Sequence, residues 1–309
     1  MLLSEAFTAF MKYQHLKNNT PATLEDYTVM LNSFISWLGD FDCSDLTAEH
    51  VNDYNLYLRG VVSLVSVRTY IRHIRVFVNF CIRKKWCSAV YEDIIIPKNP
   101  VKVVEVLTPA EISALMSVFD NGFYGLRNKA MVMLMLDCGL RASEVVTLVP
   151  DNINYAYKYI KVHGKGRKER IVPMGSALMS TLRKYFKLRP IFAEFVFCSA
   201  LGAPLKRNAF KKMFHTLRIK TGIKRLHPHL LRHTFATNYL LYGHGDVYKL
   251  SMLLGHSSIT TTQIYLHYAN YYSFMQQHDS YSFLDDIGTS GALDFQSNDL
   301  DNIFDDYEF

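Results

Sequence analysis

Residues 94–107 read IIIPKNPVKVVEVL, and this stretch decides how the chain is organised. Pro97 and Pro100 each remove a backbone donor and push the residue before them toward an extended conformation. The apolar residues around them show no helical period. The segment therefore predicts an extended linker, set at 96–107, between a first domain over 1–95 and a second over 108–272. Upstream, Thr20-Pro21 has the form of an N-cap followed by proline at the first helical position. Leu24, Tyr27, Leu31, Phe34, Ile35 and Leu38 then recur at helical spacing until Gly39. A second helix is predicted from Thr47 to Gly60, with Val51, Tyr54 and Leu58 inward. A third is predicted from Ser66, with Val67, Tyr70, Ile71, Ile74, Phe77 and Phe80 as its apolar face. The opposite face carries Arg68, Arg72, Arg75, Asn79 and Arg83 at spacings of three and four. No acid balances this stripe, so it is expected to meet phosphate rather than only water.

Downstream, Thr108-Pro-Ala-Glu111 is a capping-box signature that opens a new helix. The second domain also reads as mainly helical. The exception is 153–174, where two β-rich runs flank His163-Gly-Lys-Gly166 and predict a hairpin. The expected fold class is mainly α with a small β-hairpin, in two domains.

The 309 residues suit two domains of ordinary size. With 49% hydrophobic and 20% charged residues the chain is not expected to be globally disordered. It holds no run of about 18 uncharged apolar residues, which argues against a membrane span. The start, with Glu5 and no basic leader, does not read as a signal peptide. The five cysteines (Cys43, Cys81, Cys87, Cys138, Cys198) form no CxxC pair, so a reducing cytoplasm fits better than a disulfide framework. The net charge of +6 hides an asymmetry: 279–309 hold nine of the 28 acids and no Lys or Arg, which leaves 34 basic and 19 acidic residues in 1–278, a net of +15. A body that basic is expected to bind a polyanion, and nucleic acid is the usual one.

Several polar residues stand out by position. Arg141 follows Cys138-Gly-Leu140 at the start of a predicted helix, with Glu144 one turn on. Lys165 lies between two glycines at the hairpin tip. His229 and Arg232 fall in PHLLRHTFAT. His256 lies in LLGHSSITTTQIYLH, and Tyr265 follows nine residues later. Singly, each has an ordinary explanation: a surface arginine, a mobile turn, a core or surface histidine, one of twenty tyrosines.

Together and in this order they resemble the tyrosine recombinase (phage integrase) family, most closely its Xer-type and simple mobile-element branches. GLRASEVVTL is similar to the family's first arginine motif, VHGKGRKERIVPM to its hairpin lysine motif, HPHLLRHTFATNYL to its His-x-x-Arg motif, and LLGHSSITTTQIYLH to its final His…Tyr motif. The N-terminal helices resemble the family's core-binding (SAM-like) domain, so the likeness covers about 1–270. Matching order, spacing and flanking residues is far more specific than one short pattern.

The resemblance implies a site-specific recombinase that cleaves DNA with Tyr265 and rejoins it to a different partner strand, as a homotetramer on two duplexes. In-line displacement at a phosphodiester needs a nucleophile, neutralised non-bridging oxygens and a proton for the leaving oxygen. Arg141 and Arg232 suit the second task, because guanidinium stays charged and pairs with phosphate oxygens. Each such donor aimed at growing charge is worth about 3 kcal/mol. A phenol is only about 0.1% ionised at pH 7, so Tyr265 needs a base, and His229 is the candidate. Lys165 is the expected general acid, His256 a donor to the scissile phosphate, and Glu144 a brace for Arg141. No cofactor and no metal are expected. Lys206, Arg207, Lys211 and Lys212 open a second basic cluster suited to phosphate contacts that position but do not read sequence.

Three alternatives stay open. His229 and His233 are four residues apart, as in a zinc hydrolase, but Leu230 stands where HExxH has glutamate. A nicking-closing topoisomerase would use the same tyrosine chemistry, and a DNA-binding regulator would keep the fold alone. Localisation is expected in a bacterial cytoplasm, at the nucleoid. The acidic tail, 273–309, departs from the family pattern. Phe274 and Met275 are expected to begin a helix, and part of the tail to dock on a neighbouring protomer or a regulatory partner; a disordered end is the competing expectation.

Overall fold

Four helices build the N-terminal part of the chain, and each starts where a side chain satisfies an early backbone donor. In this computed structural model, which describes residues 1–89, 91–98, 104–164, 169–242, 245–256 and 258–277, they are α1 (Leu3–Leu16), α2 (Pro21–Leu38), α3 (Ala48–Arg59) and α4 (Leu64–Arg83). Thr20 caps α2, as its sequence predicts, and Thr47, the predicted start of the next helix, is the cap of α3. α4 is capped by Ser63, whose Oγ accepts from the Ser66 N–H at 3.3 Å, so the helix begins before Ser66, at Leu64. α1 is an element the sequence reading did not anticipate. Its first turn is tied by Glu5, which accepts from the Leu2 N–H at 3.0 Å. Its buried face is Leu3, Ala6, Phe10 and Gln14. Phe10 meets Phe77 and Phe80 edge-on at 5.5 Å, which joins α1 to α4 through aromatic contacts rather than through aliphatic packing alone.

The chain divides into the units Met1–Lys102 and Val103–Phe309. The second unit opens with α5 (Pro109–Ser117), where Thr108 and Glu111 form the expected reciprocal cap. Then follow α6 (Phe123–Asp137), α7 (Ala142–Val146), three strands, α8 (Ser176–Phe186), α9 (Arg207–Thr221), α10 (Pro228–Tyr242), α11 (Val247–Leu254) and α12 (Thr260–Gln277). α6 is apolar nearly all round; Ala130, Met131, Val132, Leu134 and Met135 are fully buried, so it runs through the core with α8 and α10 against it.

The hairpin is part of a three-stranded antiparallel sheet, β1 (Ile153–Asn154), β2 (Tyr159–His163) and β3 (Glu169–Pro173), in the order β1-β2-β3. Ile160 pairs with Val172 and Val162 with Arg170. Ile160, Val162 and Val172 face the core, while Ile171 faces out and is 61% exposed. Strand alternation therefore puts Arg170 on the inner face with Val172. α12 continues to Gln277, so Phe274 and Met275 extend the helix that carries Tyr265 instead of beginning a new one. Lys165 and residues 278–309 lie outside the described residues.

Candidate active site

Two glycines shape the backbone around the conspicuous arginines. Gly139 ends α6 at φ +62°, and a Cβ there would come within 2.4 Å of the Phe235 ring. Gly255 ends α11 at φ +63°, where a Cβ would press on the Arg170 side chain at 3.1 Å. Both conditions favour glycine. They also leave two carbonyls aimed inward. The Gly139 carbonyl accepts from Arg232 Nη1, and the Gly255 carbonyl accepts from Arg141 Nη2 at 3.1 Å.

Arg141 stands at the N-terminal boundary of α7, a helix of only five residues. Its Nη1 donates to Glu144 Oε1 at 2.9 Å, and its backbone N–H donates to Oε2 at 2.7 Å. Glu144 is nearly buried and also takes both terminal nitrogens of Arg170, each at 2.8 Å. Burial alone would raise the Glu144 pKa, but hydrogen bonds and charge from Arg170 and Arg141 outweigh it and leave a net lowering. The carboxylate is thus held ionised between two guanidinium groups. Arg170 is a residue the sequence reading missed. Its Nε also donates to the Leu253 carbonyl at 2.6 Å, so it binds β3 to the end of α11. The available signal was register: Arg170 shares the inner face with Val172 while Ile171 faces solvent, an inversion of the usual pattern.

Arg232, on α10, is only 4% exposed. Its Nη2 donates to the Leu254 carbonyl at 2.7 Å and to His256 Nε2 at 3.1 Å. Burial first, and then the charge of Arg141, lower its pKa to about 10, which still leaves it a cation at neutral pH. Because Arg232 has only protons to give, His256 Nε2 acts as acceptor. The His256 proton then sits on Nδ1, which donates to Thr262 Oγ1 at 2.8 Å. Burial, followed by Arg232, Arg141 and Arg170, lowers the His256 pKa to about 4, in keeping with a neutral ring. The ring lies nearly parallel to that of Tyr265, at 14° and 6.5 Å between centroids.

Tyr265, on α12, is 3% exposed. Its pKa is raised, because burial outweighs the opposite pull of Arg232 and Arg141. Its hydroxyl lies 2.8 Å from Nδ1 of His233, one position after Arg232 on α10. In the sequence His233 stands out only as the second histidine of a zinc-like pair. Its pKa falls to about 4, through burial first and then the charges of His229, His227 and Arg232. His229, one turn earlier, is exposed, and its ring centre lies 6.3 Å from that of His233. Crowding by surrounding atoms, then His227 and Arg232, lower the His229 pKa as well. Among the described residues, no hydrogen bond joins His229 to Tyr265.

The fold thus brings Arg141, Glu144, Arg232, His256 and Tyr265 into one cluster, with His229 at its edge. Such a cluster offers a nucleophile beside fixed guanidinium donors, the equipment for an attack on a phosphodiester. The basic residues elsewhere divide by use. On α4, Arg68 donates to the Pro97 carbonyl, and Arg75 lies 4.0 Å over the Tyr91 ring and reaches its carbonyl at 3.4 Å. These two arginines hold the segment that follows α4, while Arg72 and Arg83 are exposed. Lys206, Lys211 and Lys212 are exposed at the start of α9, and Arg207 is its first residue. Arg225 pairs with Glu105 and Glu111.

Residues 105–271 match the phage integrase family, and residues 3–88 match the phage integrase N-terminal SAM-like domain. Tyrosine recombinase XerD of Staphylococcus aureus is 38% identical over 216 residues, which cover 66% of this chain and 72% of that one. Among solved structures, a lambda integrase dimer bound to a COC′ core site superposes with a TM-score of 0.71 at 17% identity, covering 86% of this chain and 95% of that one. XerH bound to a palindromic difH substrate, in a post-cleavage complex, gives 0.68 at 20% identity, covering 84% and 80%. These structures share the two-part, mostly helical fold. With a family match across more than half its length and a relative at 38% identity, the chain belongs to the phage integrase family, the tyrosine recombinases.

Proposed function

We propose that this recombinase cleaves DNA through a 3′-phosphotyrosyl bond at Tyr265 and rejoins the strand to a partner duplex, working as a homotetramer on two recombination sites. The observation that carries this is the arrangement of Arg232 and His256: the buried guanidinium bonds the imidazole, whose ring lies parallel to that of Tyr265. Arg141 and Arg232 clamp the non-bridging oxygens. An arriving phosphate offers Arg232 a stronger acceptor than His256 Nε2; once released, the ring donates to the phosphate as its Nε2–H tautomer, with Nδ1 accepting from the Thr262 hydroxyl. Glu144 holds Arg141 in place. Lys165 protonates the leaving 5′ oxygen. The exposed His229 faces the approaching DNA; as the base assigned from sequence it competes with His233. The phosphotyrosyl bond conserves the energy of the diester it replaces, so rejoining consumes no nucleotide. Integration or excision of a mobile element and resolution of chromosome dimers are the two roles open to such an enzyme, in a bacterial cytoplasm.

The test starts from a pool of nicked duplexes with randomised flanks, incubated with the full chain. DNA recovered from denaturant-resistant protein adducts gives the site. We expect the adduct to map to Tyr265 and to vanish in Tyr265→Phe, with DNA binding retained. An adduct that survives in that variant, or that maps to Tyr268, overturns the assignment. Paired intact sites then separate strand exchange from mere nicking and closing.

A further inference from the structure

The geometry points to His233, and not His229, as the group that takes the proton from Tyr265 during cleavage. This rests on the reading of Tyr265 as nucleophile. The phenol is 3% exposed, so bulk water is not at hand to receive its proton. Within the described residues the hydroxyl has one hydrogen-bond partner, Nδ1 of His233 at 2.8 Å, well inside the reach required of a base. His233 is neutral at physiological pH, and a neutral imidazole always presents one acceptor nitrogen. With Nε2 protonated, that acceptor is Nδ1. Arg232 precedes His233 on α10, so one helix turn carries both the phosphate clamp and the proton acceptor. His229 is exposed and unbonded to the phenol, which leaves it to the DNA side.

The step balances as follows. As Oη of Tyr265 bonds phosphorus, its proton moves to His233 Nδ1 and the ring becomes imidazolium. The P–O5′ bond breaks, and O5′ takes a proton from the general acid. In rejoining, the 5′-hydroxyl attacks phosphorus and gives its proton to the conjugate base of that acid. The P–Oη bond breaks, and Nδ1 returns the proton to Oη. Phosphate charge beside Arg232 weakens its repulsion of the imidazolium at the moment it forms.

The experiment uses the full chain and the nicked duplex recovered above, made with either an ordinary or a sulfur-substituted 5′ leaving group. Sulfur leaves without a proton, so its use removes the need for the acid and isolates the base. We expect His233→Ala and His233→Gln to slow adduct formation about 100-fold or more, with unchanged DNA affinity and with the deficit persisting on the sulfur substrate. His229→Ala loses less. Replacing Tyr265 by a fluorotyrosine, whose phenol is more acidic, recovers much of the lost rate in His233→Gln. A misfolded protein shows no such recovery. An adduct through Tyr265 formed at full or increased rate by both His233 variants overturns this proposal alone. An adduct that persists in Tyr265→Phe overturns the reading beneath it.

Discussion

His233 and His256 are held neutral, each with a pKa lowered to about 4, and burial is the largest cause in both. A histidine in the unfolded chain titrates near 6.5. Between these values the unfolded state binds the protons and the folded state does not. The stabilisation from keeping both rings neutral is therefore complete above about pH 6.5 and is lost as pH falls toward about 4. The cationic neighbours sharpen the effect, because Arg232 faces both rings and Arg141 and Arg170 face His256. We expect urea unfolding to show a steep loss of stability between about pH 6.5 and pH 4.5. The double variant His233→Gln/His256→Gln loses less over the same interval, whatever its stability at neutral pH. Parallel losses in the two proteins contradict this account of the acid limb.

At the scale of elements, β3 is tied to the site by one side chain. Arg170 bonds both oxygens of Glu144 and the carbonyl of Leu253, and so links β3 to α7 and to the end of α11. Replacing it with Met leaves a buried carboxylate without its bidentate partner. Breaking a buried pair from one side costs roughly 3–5 kcal/mol. Arg170→Met is expected to lose stability on that scale, and adding Glu144→Gln to recover part of it in a double-mutant cycle. A cycle with no coupling energy removes Arg170 from the brace. The sequence hid this link for a physical reason. In KERIVPM an arginine among charges reads as solvated, and only strand pairing reveals that Arg170 points inward. His233 was hidden differently, because its partner is 32 residues away and meets it only when α12 packs on α10. What local chemistry dictates was legible: the caps at Thr20 and Thr108, the inward faces of α2 to α4, and the order of Arg141, Glu144, Arg232, His256 and Tyr265. α1 was overlooked although Leu3, Ala6 and Phe10 carry its period. The stripe on α4 was legible as chemistry but not as use, since Arg68 and Arg75 are engaged within the protein.

At the scale of the whole molecule the charge is divided along the chain, with a net of +15 on 1–278 and nine acids in 279–309. A covalently attached acidic segment is expected to compete with duplex DNA for the basic residues of 1–278. Such a tethered competitor acts at high effective concentration, which DNA would have to overcome. Deletion of 279–309 is therefore expected to raise affinity for a non-specific duplex at low salt. It also steepens the fall of log affinity with log salt, because phosphates then release the counterions from lysines and arginines that the acids had neutralised. At high salt the two proteins converge, since screening weakens both the tail and the DNA contacts. Titrations of full-length and shortened chains against one duplex, across a range of salt, read this directly. Superimposable curves, together with unchanged assembly on paired sites, assign the acids no part in controlling DNA binding. A steeper curve for the shortened chain makes the tail a competitor that DNA has to displace before the site around Tyr265 is engaged.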